Sequence, residues 1–334
     1  MTRFQLNLFT LCVAFAVITL GAFVRLSDAG LGCPDWPGCY GHLDVPSAQA
    51  DVAVANERFS QRPVEAPKAW KEMIHRYAAG ALGLLILVMA LAALKRGNNP
   101  NQQRILPWVL VILVVFQALL GMWTVTLLLK PLIVTAHLLG GMATFALLGW
   151  CLFRQGALFS GYRTAMRAGL RLAAGVALVL LIIQLFLGAW TSTHYAALAC
   201  PDFPTCQTYW WPPTDFRSAF TLWHGLGINY EFGILDSIAR ATIHWTHRLG
   251  AIVLSLMLLA LAILLWRESR TDRRWHALAV ALVAALGLQV SIGISVVVLH
   301  LPLWVAVAHN GGAALLLLVV MAINHAVWSA RDHV

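Results

Sequence analysis

Glu72, His75 and Arg76 stand together in the segment Glu-Met-Ile-His-Arg-Tyr-Ala-Ala-Gly, at the mouth of a long apolar run. Ionisable groups are costly in hydrocarbon, so such a cluster marks a function or a partner. The His-Arg pair returns as His247 and Arg248, and His137 and His309 occupy matching places in two other apolar runs. Two equivalent pairs of histidines offer neutral imidazoles that can grip one haem iron from both sides. An interfacial histidine bonded to a loop carbonyl is the plain alternative for any one of them, and the duplication weighs against it.

The pairs are not identical in their surroundings. Glu72 lies three residues before His75, on the same helix face, and its counterpart beside His247 is His244. One reading is a carboxylate that favours a helix N-terminus through the dipole. The sharper one is that the first haem is worked on, with Glu72 as acid or base, while the second transfers electrons. Arg76 and Arg248 follow the first ligand of each pair and either snorkel to the headgroups or meet haem propionates. His244 is a further candidate for a propionate or ligand contact. The pairs Gly140-Gly141 and Gly311-Gly312 leave room for a flat macrocycle. His42, His194, His224, His276, His300, His325 and His333 have no histidine in the corresponding place, and surface or interfacial roles are expected for them.

Six cysteines divide into two Cys-x5-Cys pairs and two singles, Cys12 and Cys151, inside apolar runs. In an oxidising compartment Cys33–Cys39 and Cys200–Cys206 most simply form two local disulfides, each contributing about 2 kcal/mol. A redox role for the first pair is the alternative; zinc is disfavoured by the intervening prolines and the want of further ligands. Cys12 and Cys151 are expected to pack between helices.

These residues need a frame, and the composition says which kind. The chain of 334 residues is 60% hydrophobic and 11% charged, with a mean hydropathy of +0.75, so the bilayer is its main solvent. At about 20 apolar residues per span, eight transmembrane helices are expected near 6–26, 73–94, 105–129, 132–153, 172–193, 242–266, 276–299 and 303–327. The first run, Leu6–Val24, reads as a retained helix, being too long for a signal-peptide core. The net charge of +9 sits largely in short loops (Lys95, Arg96, Arg104; Arg154, Arg163, Arg167, Arg171; Arg267, Arg270, Arg273, Arg274). That pattern sets orientation rather than nucleic-acid binding, and it puts both termini in the cytoplasm and the long connections 27–71 and 194–240 outside. Tyr209-Trp210-Trp211 in the second long connection suits the outer interface.

A shift of 172 residues superposes His75 on His247, Gln117 on Gln289, Gly121 on Gly293, His137 on His309 and Gly140 on Gly312; a shift of 167 superposes the cysteine pairs and Gly21 on Gly188. Each half therefore carries four helices and crosses in the same sense. The expected fold is an all-α polytopic membrane protein of two tandem parallel four-helix bundles, residues 1–155 and 172–334, joined by a cytoplasmic linker at 156–171.

The sequence resembles the haem A synthase family over nearly its whole length. The resemblance rests on Arg25-Leu-Ser-Asp-Ala-Gly-Leu-Gly-Cys-Pro-Asp-Trp-Pro-Gly-Cys39, Glu72-Met-Ile-His-Arg76, Thr135-Ala-His137, Asn229-Tyr-Glu-Phe-Gly233, Ile243-His-Trp-Thr-His-Arg248 and Ala308-His309. It implies two-step oxidation of one methyl of haem O to the formyl of haem A, through a hydroxymethyl and a hydrated aldehyde. It also implies haem O held by His75 and His137 beside Glu72, and a resident haem b held by His247 and His309. A bacterial inner membrane, haem sites near its outer side, and haem O synthase and oxidase assembly factors as partners are implied in the same way. The electron acceptor is not implied, and no nucleic acid is. A di-haem b-type cytochrome that only passes electrons, and a transporter built from duplicated bundles, are the rival readings; Glu72 counts against the first and the want of midplane charges against the second.

Overall fold

The computed structural model describes residues 2–94, 104–156, 158–164 and 167–332; Lys95, Arg96 and His333 lie outside them. Its elements are α1 (Arg3–Leu26), α2 (Gln49–Arg58), α3 (Ala66–Leu94), α4 (Ile105–Thr126), α5 (Pro131–Gln155), α6 (Arg167–Thr193), α7 (Phe216–Ala219), α8 (Ser237–Glu268), α9 (Arg274–Val298) and α10 (Leu303–Ser329). Two short parallel strands, β1 (Arg163–Thr164) and β2 (Arg331–Asp332), pair the linker with the C-terminal tail. Among the described residues, eight helices, all but α2 and α7, are long and apolar enough to cross a membrane.

Helices α1, α3, α4 and α5 touch in a closed ring, and α6, α8, α9 and α10 close a second. This fits two tandem four-helix bundles. The rings are joined where α10 lies against α1 and α5, and α5 against α6. One apolar core, from Leu11 and Phe145 to Leu258 and Val327, runs through both. Outward positions such as Leu84, Ile112, Leu172 and Leu256 stay exposed, as lipid-facing side chains do.

Local chemistry sets the helix ends. The side chain of Thr2 accepts from the N–H of Gln5 and Gln5 reaches back to Thr2, a reciprocal cap; Asp236 caps α8 through the N–H of Ala239. Helix α5 starts on Pro131, where a missing N–H costs nothing. The turn after α4 runs through Leu128 and Leu129 at φ 51° and 59°, and the turn after α9 through His300 and Leu301 at φ 60° and 62°. These matched left-handed pairs return the chain identically in each half.

Two expected boundaries on the outer side move, and on the other side α6 begins at Arg167 rather than 172. Helix α3 begins at Ala66 rather than 73 and α8 at Ser237 rather than 242, because their outer turns are held by the outer loops rather than by lipid. Ala69 and Met73, for example, pack on Cys33, Cys39, Tyr40 and Val45. Glu72 therefore sits in the second turn of α3, beyond the first turn where a helix dipole acts.

Candidate functional site

His75 is nine residues into α3 and His247 ten into α8, about 14–15 Å along each axis. His137 and His309 are each six residues into α5 and α10, about 9 Å in. Within its ring α3 stands diagonal to α5, and α8 diagonal to α10. His75 lies within electrostatic range of His137, and His247 of His309. The four rings are half-buried, while Nδ1 of His75, His137 and His309 is buried without a hydrogen-bond partner.

Each imidazole is seated on a glycine of the adjacent helix. A Cβ at Gly21 or Gly293 would come within 2.9 Å of Cε1 of His75 or His309, and at Gly188 or Gly121 within 3.2 Å or 3.6 Å of Cε1 of His247 or His137. Sequence comparison of the halves flagged these four glycines without giving them a role. The expectation that Gly140-Gly141 and Gly311-Gly312 leave room for a macrocycle is corrected at three positions. The carboxamides of Gln117 and Gln289 occupy the space beside Gly140 and Gly312, and Gly311 faces Phe15 and Thr19 of α1. Space within 4 Å remains open only at Gly141 of these four.

The outer loops are fastened onto α3 and α8 by the same clamp used twice. Glu72 Oε2 accepts from the Cys33 N–H at 2.9 Å, and Oε1 pairs with Arg76 at 2.5 Å. Arg76 also donates to the carbonyls of Asp35, Pro37 and Gly38. In the second half the Cys200 N–H lies 3.3 Å from His244 Nδ1 and Arg248 Nε lies 3.2 Å from Nε2, of which a neutral imidazole accepts one, while Arg248 donates to the carbonyls of Thr205 and Cys200 at 2.7 and 2.8 Å. Glu72 and His244 are both buried, at 5% and 4% exposure. The arginines therefore grip loop carbonyls rather than snorkel.

Cys33–Cys39 and Cys200–Cys206 are disulfide-bonded. In each loop an aspartate, Asp35 or Asp202, accepts from the N–H groups of the two left-handed residues after the second cysteine, Tyr40 and Gly41 or Gln207 and Thr208. Gly32 lets the first loop rest on α3, since a Cβ there would fall 2.7 Å from the Lys68 carbonyl. Cys151 is buried as expected, whereas Cys12 is exposed on the outer face of α1 instead of packing between helices.

Contacts across the halves were not legible in the sequence. Arg62 pairs with Glu231 at 3.1 Å, the Tyr230 N–H donates to the Leu128 carbonyl at 3.0 Å, and Arg25 donates to the Ser192 carbonyl at 2.6 Å while lying over the Tyr195 ring. The Asn229–Gly233 segment is thus a brace. Lys130, 1% exposed, donates to the Gly225 carbonyl beneath the Trp223 ring. Two histidines expected at a surface are buried. His194, 1% exposed, is bonded to the Trp190 carbonyl, and burial pushes it down to about 4. His325, 4% exposed, packs edge-on against Trp150 at 5.0 Å. A lone histidine in an apolar stretch carries no mark of its depth.

Comparison with known proteins places these features in a wider group. The profile of the cytochrome oxidase assembly proteins, COX15-CtaA, matches residues 5–321. A heme A synthase of Shewanella oneidensis is 47% identical over 319 residues, covering 96% of this chain and 94% of that protein. Heme A synthases of Shouchella clausii and Caulobacter vibrioides are 26% and 27% identical, over 89% and 96% of this chain and 87% and 93% of theirs.

Proposed function

This chain belongs to the COX15-CtaA family of cytochrome oxidase assembly proteins, and on that premise we propose how its two rings divide the work of making haem A from haem O. The activity is oxidation of a porphyrin methyl to a formyl group, and haem O is the substrate. The ring of residues 1–155 takes haem O between His75 and His137; the ring of residues 172–334 keeps haem b between His247 and His309, and 156–171 links them on the cytoplasmic side. Both termini are cytoplasmic and the haems lie toward the outer face of a bacterial inner membrane.

The residues fit such groups. Paired imidazoles on diagonal helices, buried ring nitrogens without partners, and glycine seats beside every ring are what would hold a flat macrocycle by its iron. When bound, haem b supplies reversible one-electron transfer. The observation that carries the division of labour is the single exchange in an otherwise duplicated clamp, Glu72 for His244.

Glu72 is held by the Cys33 N–H and Arg76, with the Gly32 N–H also directed at it, which leaves about one of a carboxylate's four acceptor sites free. It serves as the base at the reacting edge of haem O, one turn from His75. His244, in the same place, is a structural contact. Arg248 spends Nε, Nη1 and Nη2 inside the chain, so a propionate reaching it, or Arg76, exchanges with a loop carbonyl.

Cells supplied with haem O and lacking another source of haem A test this. With the wild-type chain haem A accumulates; with Glu72→Gln, whose amide oxygen still accepts from Cys33, conversion falls at least ~100-fold and haem O remains. Undiminished haem A with Glu72→Gln removes the base; absence of haem A with the wild-type chain removes the activity.

A further inference from the structure

Four times in this chain a helix carrying a histidine packs against a neighbour carrying its glycine seat. In three of the four, the same two residues complete the contact. Gln117 precedes Gly121 by four residues and lies over Gly140, three after His137; Gln184 precedes Gly188 and lies over Gly250, three after His247; Gln289 precedes Gly293 and lies over Gly312, three after His309. Each carboxamide fills the volume that a side chain on the histidine's helix would take. At His75 both are replaced: Val17 precedes Gly21 and Ala78 follows His75, and both join the apolar core.

Polar contacts from the glutamine side chain reach His247 and His309, the pair of the second ring, and not His137. Gln184 Nε2 lies 3.0 Å from His247 Nδ1 and donates to the His247 carbonyl at 3.0 Å. Gln289 Nε2 donates to the His309 carbonyl at 3.1 Å and lies 3.5 Å from His309 Nε2, while His309 Nδ1 has no partner. The His137 ring lies against the Gln117 main chain, and Gln117 Nε2 is buried without a partner. His75 Nδ1 has no partner, and valine has none to give.

We propose that Gln184 and Gln289, which contact both the main chain and the ring of His247 and His309, are positioning residues that hold the two ligands of the resident haem, and that His75, with Val17 and Ala78 where the other three sites have glutamine and glycine, is the releasable ligand through which haem O enters and haem A leaves. The inference rests on the ligand assignment above and deepens it. A ligating imidazole held at its second nitrogen is fixed in tautomer and orientation, and losing that partner typically costs 10- to 100-fold in affinity. An imidazole binding iron through Nε2 would carry its proton on Nδ1; Gln184 Oε1 is buried without a partner, and a half-turn of the carboxamide would bring it to that proton in exchange for the Nε2 bond to the His247 carbonyl. A resident haem needs both ligands locked. A substrate that must depart needs one that is not.

The test uses the purified full-length chain with haem b bound and haem O added, and apomyoglobin as haem acceptor. The wild-type chain releases haem O in a fast phase and haem b in a slow one. Val17→Gln combined with Ala78→Gly slows the fast phase about tenfold, and Gln184→Leu speeds the slow phase about tenfold. Gln184→Leu, which keeps the volume and adds no charge, also shifts the haem b reduction potential, because the ligand ring loses its polar contact, a change that a packing role alone would not produce. His247→Ala separates the two ways of failing. Retention of haem b there overturns the ligand assignment and this proposal with it; loss of haem b there, with wild-type release rates and potential in the glutamine and valine variants, overturns this proposal alone. Should Gln184→Leu not accumulate, the Val17→Gln, Ala78→Gly chain decides by its fast phase.

Discussion

The carboxylate of Glu72 accepts from the main-chain N–H of Cys33 at 2.9 Å, so the carboxylate three residues before His75 is positioned by a disulfide loop. The Cys200 N–H lies against His244 Nδ1 in the same way. The two loops are one device applied once to a carboxylate and once to an imidazole.

Opening the first loop therefore affects chemistry more than haem retention. With Cys33→Ser and Cys39→Ser together, haem A formation is expected to fall about tenfold, equivalent to ~1.4 kcal/mol in the barrier, with haem b content unchanged. Haem extraction from the purified variant checks both quantities. Cys200→Ser with Cys206→Ser should leave the base in place and loosen haem b instead.

The brace between halves gives a second expectation. Arg62 and Glu231 are about one-fifth exposed, so their pairing is screened only in part. A double-mutant cycle of Arg62→Ala and Glu231→Ala, read by thermal unfolding in detergent, should return a coupling of about 1 kcal/mol that shrinks at high salt.

At the opposite end, Asp272 accepts from Arg274 and from the Arg163 N–H, and the Arg274 hydrogen bond draws its carboxyl down to about 2. A folded-state value below the ordinary carboxylate range means stability that is full above about pH 4 and lost as pH falls through 4 to 2. Asp272→Asn should lower the unfolding temperature at pH 7, by about 1 kcal/mol of stability, and that difference should close as pH approaches 2.

Much of this was legible from residue order. Hydropathy gives all eight long helices, since a span in lipid needs an unbroken apolar run. Duplication gives the four histidines, the cysteine pairs and the exchange of Glu72 for His244. Helix α3 escaped at its outer end because Ala66–Lys71 is polar and is kept helical by packing on a loop distant in sequence. Gln184 and Gly250 escaped because their counterparts, Val17 and Ala78, differ. A repeat reports what was kept, and the functional difference lies where it was not.

The central claim is that two diagonal histidine pairs hold two haems with different fates. A reduced-minus-oxidised difference spectrum with haem extraction, taken on the wild-type chain, His75→Ala and His247→Ala, tests it most directly. His247→Ala should lose the bound haem b signal, while His75→Ala should keep it and yield no haem A. Haem b and haem A both present at wild-type levels in the two variants would contradict the assignment.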